Sequence, residues 1–262
     1  MLAFPQLTTG AASLYPVGRK YATRTVVNTL ADGSRVVFGD QDAGFREWEL
    51  RAVGLTQAEW SAIEALYQAV SGRFGTFTFL DPAGNLLARS EEFGAAEWNN
   101  GPLIQLTPGV SDPFGSSRAT RVVNGAQAAG SLAQTLAAPG NCRYVMSVWA
   151  RTTAGSSVTL AATAAGGSSM RSFALTTEWA RISMDVGLGV SSDSLVFGAQ
   201  LEGGASVDLF GMQVEAQPGV SAYKRTGAVG GVYGKSRFAQ DELSVTARGT
   251  DVFDAVIRIV AR

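Results

Sequence analysis

Carboxylates are the side chains on which acid–base or metal chemistry would have to rest here, because the 262 residues include no histidine and one cysteine, Cys142. Without histidine there is no Ser-His-Asp or Cys-His catalysis, and the commonest metal ligand is missing. A lone thiol allows neither an internal disulfide nor a thiolate metal site. What remains is the paired-carboxylate chemistry of glycoside hydrolysis, which needs two acids at a set separation, or an oxygen-ligated cation. Glu91 and Glu92 are adjacent and cannot bracket one bond by themselves. Glu202 and Glu215 end two similar runs, Phe197-Gly198-Ala199-Gln200-Leu201-Glu202 and Phe210-Gly211-Met212-Gln213-Val214-Glu215, and could be brought together. Solvated strand ends are the favoured reading, so no catalytic residue and no enzyme activity are expected. Gly230-Gly231 has no helix after it and reads as a linker, not a phosphate loop.

Binding chemistry has more to work with. Trp149 and Trp179 could stack on sugar rings, but both sit in or beside apolar runs, and a core role is favoured. Trp98 is the better candidate for a glycan contact, because the polar stretch Asn99-Asn100-Gly101-Pro102 follows it. Arg19, Lys20 and Arg24 cluster near the start. They read equally well as a solvated strand face or as charges that set register against an acidic neighbour.

The elements that would position these residues are mostly strands. Apolar content of 46%, 31 glycines and 16% charged residues describe a folded, turn-rich chain of one large or two medium domains. A net charge of −1 gives no basic face for nucleic acid. No apolar run reaches the length of a transmembrane helix, and Met1-Leu2-Ala3-Phe4-Pro5 lacks the form of a signal peptide.

From residue 21 the alternation predicts short strands: Thr25–Leu30, a tight turn at Ala31-Asp32-Gly33-Ser34, then Arg35–Phe38 and Phe45–Leu50. One helix is expected. Thr56 would cap it, Glu59 completes a capping box, and Leu55 with Trp60 fits a hydrophobic staple. Trp60, Ile63, Leu66, Tyr67 and Val70 recur at helical spacing, and Gly72 is the stop. Thr76–Leu80 is a strand ended by Asp81-Pro82, and Glu242–Arg248 and Val252–Val260 form a hairpin through Gly249-Thr250-Asp251. Alone that hairpin would be marginal in water, so it needs the N-terminal strands as partners.

Between these halves the texture changes to Ala, Gly, Ser and Thr. Strand candidates are Arg121–Val123, Tyr144–Ala150, Ser157–Leu160, Ser172–Leu175, Ala180–Met184, Leu195–Leu201 and Val207–Val214. Their spacing, with turns between and no helix, suggests a sandwich.

In this segment Asn85-Leu86-Leu87, Ser90-Glu91-Glu92-Phe93 with Trp98, Tyr144 to Ala150, Thr176-Thr177-Glu178-Trp179, Phe197 to Glu202 and Ala222-Tyr223 resemble the carbohydrate-binding-module-like jelly rolls of phage structural proteins. The flanking parts resemble phage tail-tip proteins of the distal tail and minor tail protein M kind. Arg19 and Arg24 on an early strand, the Asp32-Gly33 hairpin, Trp48 to Leu50, the capped helix, Gly72-Arg73-Phe74 with Phe77 to Pro82, and the closing hairpin carry that likeness.

The resemblance implies an all-β protein with one helix. A split tail-tip-type β-sandwich, residues 1–86 plus 227–262, would carry an inserted jelly roll at 87–226. It implies a virion protein made in the host cytoplasm, a distal tail protein forming a homohexameric ring between tail tube and baseplate hub. The insert would be offered to host-surface glycan or to neighbouring tail proteins. The alternative is a free-standing soluble carbohydrate-binding protein. No cofactor, nucleic-acid specificity or membrane insertion is expected. Jelly rolls often hold a structural Ca²⁺, for which Asp112 and Asp208 are the conceivable ligands, although no dense Asp-x-Asp run is present.

Overall fold

The computed structural model describes residues 1–261, with the side chains of Gln41 and Asp42 left aside. The chain is all-β with one helix, and contacts divide it into two compact units. A helix-bearing unit comprises Leu2–Pro5, Ser13–Phe79 and Tyr233–Arg262, and a sandwich unit comprises Met1, Gln6–Ala12 and Leu80–Val232.

The helix-bearing unit opens with β1 (Val17–Thr29) and β2 (Arg35–Leu55), then α1 (Gln57–Ala69) and β3 (Phe77–Leu80). The two short strands expected at Arg35–Phe38 and Phe45–Leu50 are one continuous strand of 21 residues, and β1 starts eight residues before Thr25. Pairing explains the extension: β1 and β2 hold each other in register from Val17 opposite Leu50 to Thr29 opposite Arg35, with one shift between Ala22 and Arg24. At the tip Ser34 N and Oγ both donate to the Asp32 carboxylate, and Gly33 takes φ 80°.

Helix α1 has the ends its sequence specifies. Thr56 accepts from Glu59 N at 3.3 Å, and Thr56 N donates to the Glu59 carboxylate at 2.9 Å, the reciprocal pair of a capping box. At the other end Ser71 and Gly72 turn left-handed and Gly72 N donates to Tyr67 O. Trp60, Ile63 and Leu66 are buried, and the helix packs on β2 and on the final strand.

The sandwich unit holds two five-stranded antiparallel sheets. In chain order its strands are β4 (Asn99–Asn100), β5 (Ile104–Val110), β6 (Ala119–Asn124), β7 (Gly130–Leu136), β8 (Arg143–Arg151), β9 (Ser157–Ala164), β10 (Gly167–Ala174), β11 (Ala180–Gly187), β12 (Leu195–Leu201) and β13 (Ser206–Glu215). One sheet runs β10-β9-β12-β7-β4, the other β11-β8-β13-β6-β5. Tyr144, Met146, Val148 and Ala150 of β8 enter the core with Leu132, Leu160, Phe197 and Leu209. Strands β4, β5 and β7 are additions to the sequence reading. β5 is an edge strand that contains Pro108 and shifts register at Gly109, so it hardly reads as a strand.

The chain then returns to the first sheet through β14 (Val232–Phe238), β15 (Val245–Gly249) and β16 (Val252–Ala261). The order there is β1-β2-β16-β14-β3, with β15 also on β16. The last strand thus lies in the middle of the sheet, paired along Arg46–Leu55 of β2. Ala255, Ile257, Ile259 and Ala261 are buried at period two. Around them Trp48 packs on Phe79 and Tyr233 at 5.1 and 4.7 Å between ring centroids, and Phe238 packs on Phe77 at 4.9 Å.

Candidate functional site

Each unit presents one surface unlike the rest of it. In the helix-bearing unit this surface is the β1–β2 ribbon. Strand β16 pairs with β2 only from Arg46 onward, so Arg35–Phe45 has β1 as its only described partner. Cross-strand pairs share a face, which puts Val26 with Phe38 on one side and Val27 with Val37 on the other. All four are exposed, Val37 at 61% and Phe38 at 56%, and Leu30 and Val36 are exposed as well. A two-stranded ribbon with apolar pairs on both faces is marginal by itself. Burying each such side chain would contribute about 1.5–3 kcal/mol.

At the root of the ribbon is a groove of about 370 Å³ lined by Arg19, Lys20, Tyr21, Arg46, Glu47 and Trp48. The register sets Arg19 opposite Trp48 and Tyr21 opposite Arg46. The Arg46 guanidinium lies 6.0 Å from the Tyr21 ring centre and 5.6 Å from that of Tyr233, and donates to the Tyr233 hydroxyl. Among the described residues no carboxylate comes within ion-pair range of Arg46, and the buried Trp48 Nε1 has no acceptor. Of the early basic cluster, Arg19 lines the groove, Lys20 faces Glu47 at 3.8 Å and Arg24 faces Asp40 at 4.0 Å.

In the sandwich unit the distinctive surface is the outward face of the sheet centred on β8 and β13. Trp149 of β8 stands directly opposite Arg181 of β11. Next along, the Arg151 guanidinium lies 4.7 Å over the Trp179 ring. Both tryptophans are half-buried and stand outside the core cluster, which corrects their expected core role. Trp149 Nε1, Trp179 Nε1 and Arg181 Nε have no acceptor among the described residues. Phe114, 60% exposed, meets Trp149 edge-on at 5.7 Å and Phe210 at 5.8 Å.

A network of buried acids roofs the rest of this face. Asp208 accepts from Arg121 at 2.8 and 3.2 Å and from Arg151 at 3.0 Å. Glu91 pairs with Arg118 and Arg225, each at 3.1 Å, and accepts from Tyr223 at 3.1 Å. Glu215 is held by Lys224 at 2.7 Å and by Ser221; burial alone would raise its pKa, but these donors keep it below the usual carboxylate range. A bulge at Gly211, φ 64°, re-aims β13 so that Phe210, Gln213 and Glu215 face outward. A Cβ on Gly211 would come within 2.9 Å of the Tyr223 ring, so the network also needs glycine there.

The remaining candidates resolve plainly. Trp98 is only 5% exposed, packs edge-on against Phe93 at 5.1 Å and donates its indole N–H to Arg89 O at 3.0 Å. It is a core residue with no face for a glycan. Of the polar stretch after it, Asn100 turns inward and donates to Phe93 O. Glu202 and Glu215 lie near opposite ends of β13, about 30 Å apart at ~3.3 Å per residue, well beyond a glycosidase pair.

Asp112 is filled by protein donors, Phe114 N at 2.8 Å, Ser116 N at 3.2 Å, the Ser116 hydroxyl and Arg118, and Asp208 by its two arginines. No group of three or more potential ligands gathers among the described residues. For Asp112 burial works against ionisation, yet the donors win and bring its pKa down to about 2.

Ser147, Trp149 and Arg151 alternate with the core residues Met146, Val148 and Ala150, an orientation that the nearly unbroken apolar run conceals.

No protein-family model matches the chain, and no curated protein matches it. Among solved structures it is similar to the tailspike protein 4 enzymatically active domain of bacteriophage CBA120, at 12% identity and TM-score 0.42 over 52% of this chain; the chain spans 22% of that protein. It is also similar to the CBM22-1 xylan-binding domain of Paenibacillus barcinonensis Xyn10C, at 13% identity and TM-score 0.42, covering 52% of this chain and 96% of that one. TmCBM61, solved with beta-1,4-galactotriose, is similar at 17% identity and TM-score 0.38, covering 50% and 97%. These are partial likenesses with TM-scores below 0.5, and they leave the family open.

Proposed function

We propose that this chain is a structural component of a bacteriophage tail tip, a distal tail protein whose helix-bearing unit closes into a ring of about six copies between tail tube and hub. The tail-tip assignment rests on the sequence resemblance. The observation that carries the assembly reading is the β1–β2 ribbon, with exposed Val26, Val27, Val36, Val37 and Phe38 and, among the described residues, no further strand on Arg35–Phe45. Such a ribbon calls for a protein partner on both faces. In this reading the sandwich unit is a decoration carried by the ring, and the chain catalyses no reaction. Light scattering with negative-stain imaging tests it. Rings of about six subunits are expected, and the double variant Val27→Asp/Val37→Asp should be monomeric and folded. A wild type that stays monomeric at every concentration overturns the assembly reading.

A second reading, carbohydrate binding by the sandwich unit, is favoured by one specific observation. Two half-exposed tryptophans alternate with two arginines across β8 and β11, which pairs flat rings for sugar C–H faces with donors for hydroxyls. Glycan-array binding that is lost in Trp179→Ala and retained in Trp98→Phe supports it. No binding by the assembled protein removes it.

A further inference from the structure

Resting on the assembly reading, we propose that the groove at the root of the ribbon is the receiving half of a head-to-tail contact. It takes the Glu242 carboxylate of a second copy, while that copy's β15 adds to the free edge of β1.

Three observations meet here. The first is charge. Arg46 lines the groove, holds its guanidinium near two tyrosine rings and donates to Tyr233; the groove's one described carboxylate, Glu47, is paired with Lys20, and Arg46 has no carboxylate partner among the described residues. The second is the donor side: Glu242 is exposed and makes no hydrogen bond or ion pair among the described residues, at the lead into β15.

The third is topology. β1 ends the sheet on one side, and β15 lies on the far side of β16, exposed along all five residues. Two different free edges on opposite flanks of one sheet make a heterologous contact, the kind that closes into rings. An isologous contact would instead pair β1 with β1 and bring two basic strands together.

A charge swap tests this, read by light scattering and negative stain across a concentration series. Glu242→Arg should raise the concentration needed for assembly by about tenfold or more, as removal of one desolvated charge pair would. Arg46→Glu should act likewise, and the double swap should return assembly close to wild type. Glu242→Gln, a change on an exposed side chain that leaves folding intact, should give a smaller loss of the same sign. Assembly of Glu242→Arg at the wild-type concentration overturns the proposal and leaves the ring reading standing. A wild type that never assembles overturns both.

Discussion

Two long strands are treated in opposite ways. Nine of the ten residues of β13 are buried, on both faces, whereas none of the thirteen residues of β1 is. β13 lies between β8 and β6, with the core below and the Asp208, Glu91 and Glu215 network above. Its backbone and side-chain demands are met within the chain. β1 has β2 on one edge and no described strand on the other, and its apolar residues lie open. The contrast separates a strand buried within its own unit from one left open to solvent.

The largest effect should come from removing the strand that joins both halves of the helix-bearing sheet. Truncation after Arg237 deletes β15 and β16 and takes the centre from that sheet. Calorimetry should then show loss of one unfolding transition with the sandwich transition kept; a helix-bearing unit that still unfolds cooperatively would refute the dependence. Next in size, Leu209→Ala on β13 should cost about 2–5 kcal/mol in denaturant unfolding. Val37→Ala on the ribbon should fall within about 0.5 kcal/mol for the monomer. Similar costs at the two sites would erase the distinction drawn above.

A third test is pH. Asp112 is lowered from 3.8 to about 2 in the folded protein, so its contribution is present above pH 3.8 and is lost as pH falls toward 2. Glu215 shifts in the same direction. The sandwich unit should therefore lose thermal stability across this acid window, and Asp112→Asn should flatten that slope. A modest effect, above that of Val37→Ala, is expected from Thr56→Ala: about 1 kcal/mol through loss of the helix cap, seen only in the helix-bearing transition.

The same contrast explains what could be read from the residues. Local signals spoke clearly: the Thr56–Glu59 box, the Asp32-Gly33 turn and the alternation of β16 each depend on neighbours a few residues away, and each is present. Surfaces were harder. Tyr144–Ala150 is apolar at nearly every position because both faces of β8 are largely covered, so periodicity could not show which way Trp149 points. For Trp98 a polar neighbour does not signal exposure: Asn100 turns inward to donate to Phe93 O, and the indole N–H is satisfied by Arg89 O. The partners of Asp208 and Glu91 lie tens of residues away in sequence, and only the fold brings them together.

The central position of β16 has a further consequence during synthesis. Strand β2 leaves the ribosome about 200 residues before its partner β16, a delay on the order of 10–40 s at ~5–20 residues per second. Over that interval the sandwich unit, nearly all of it one continuous stretch, can complete its fold, while Trp48, Leu50 and the apolar face of α1 remain without the strand that covers them. The early part of the nascent chain is thus an uncovered apolar half-sheet for the whole of that delay, and a chaperone would find its client there.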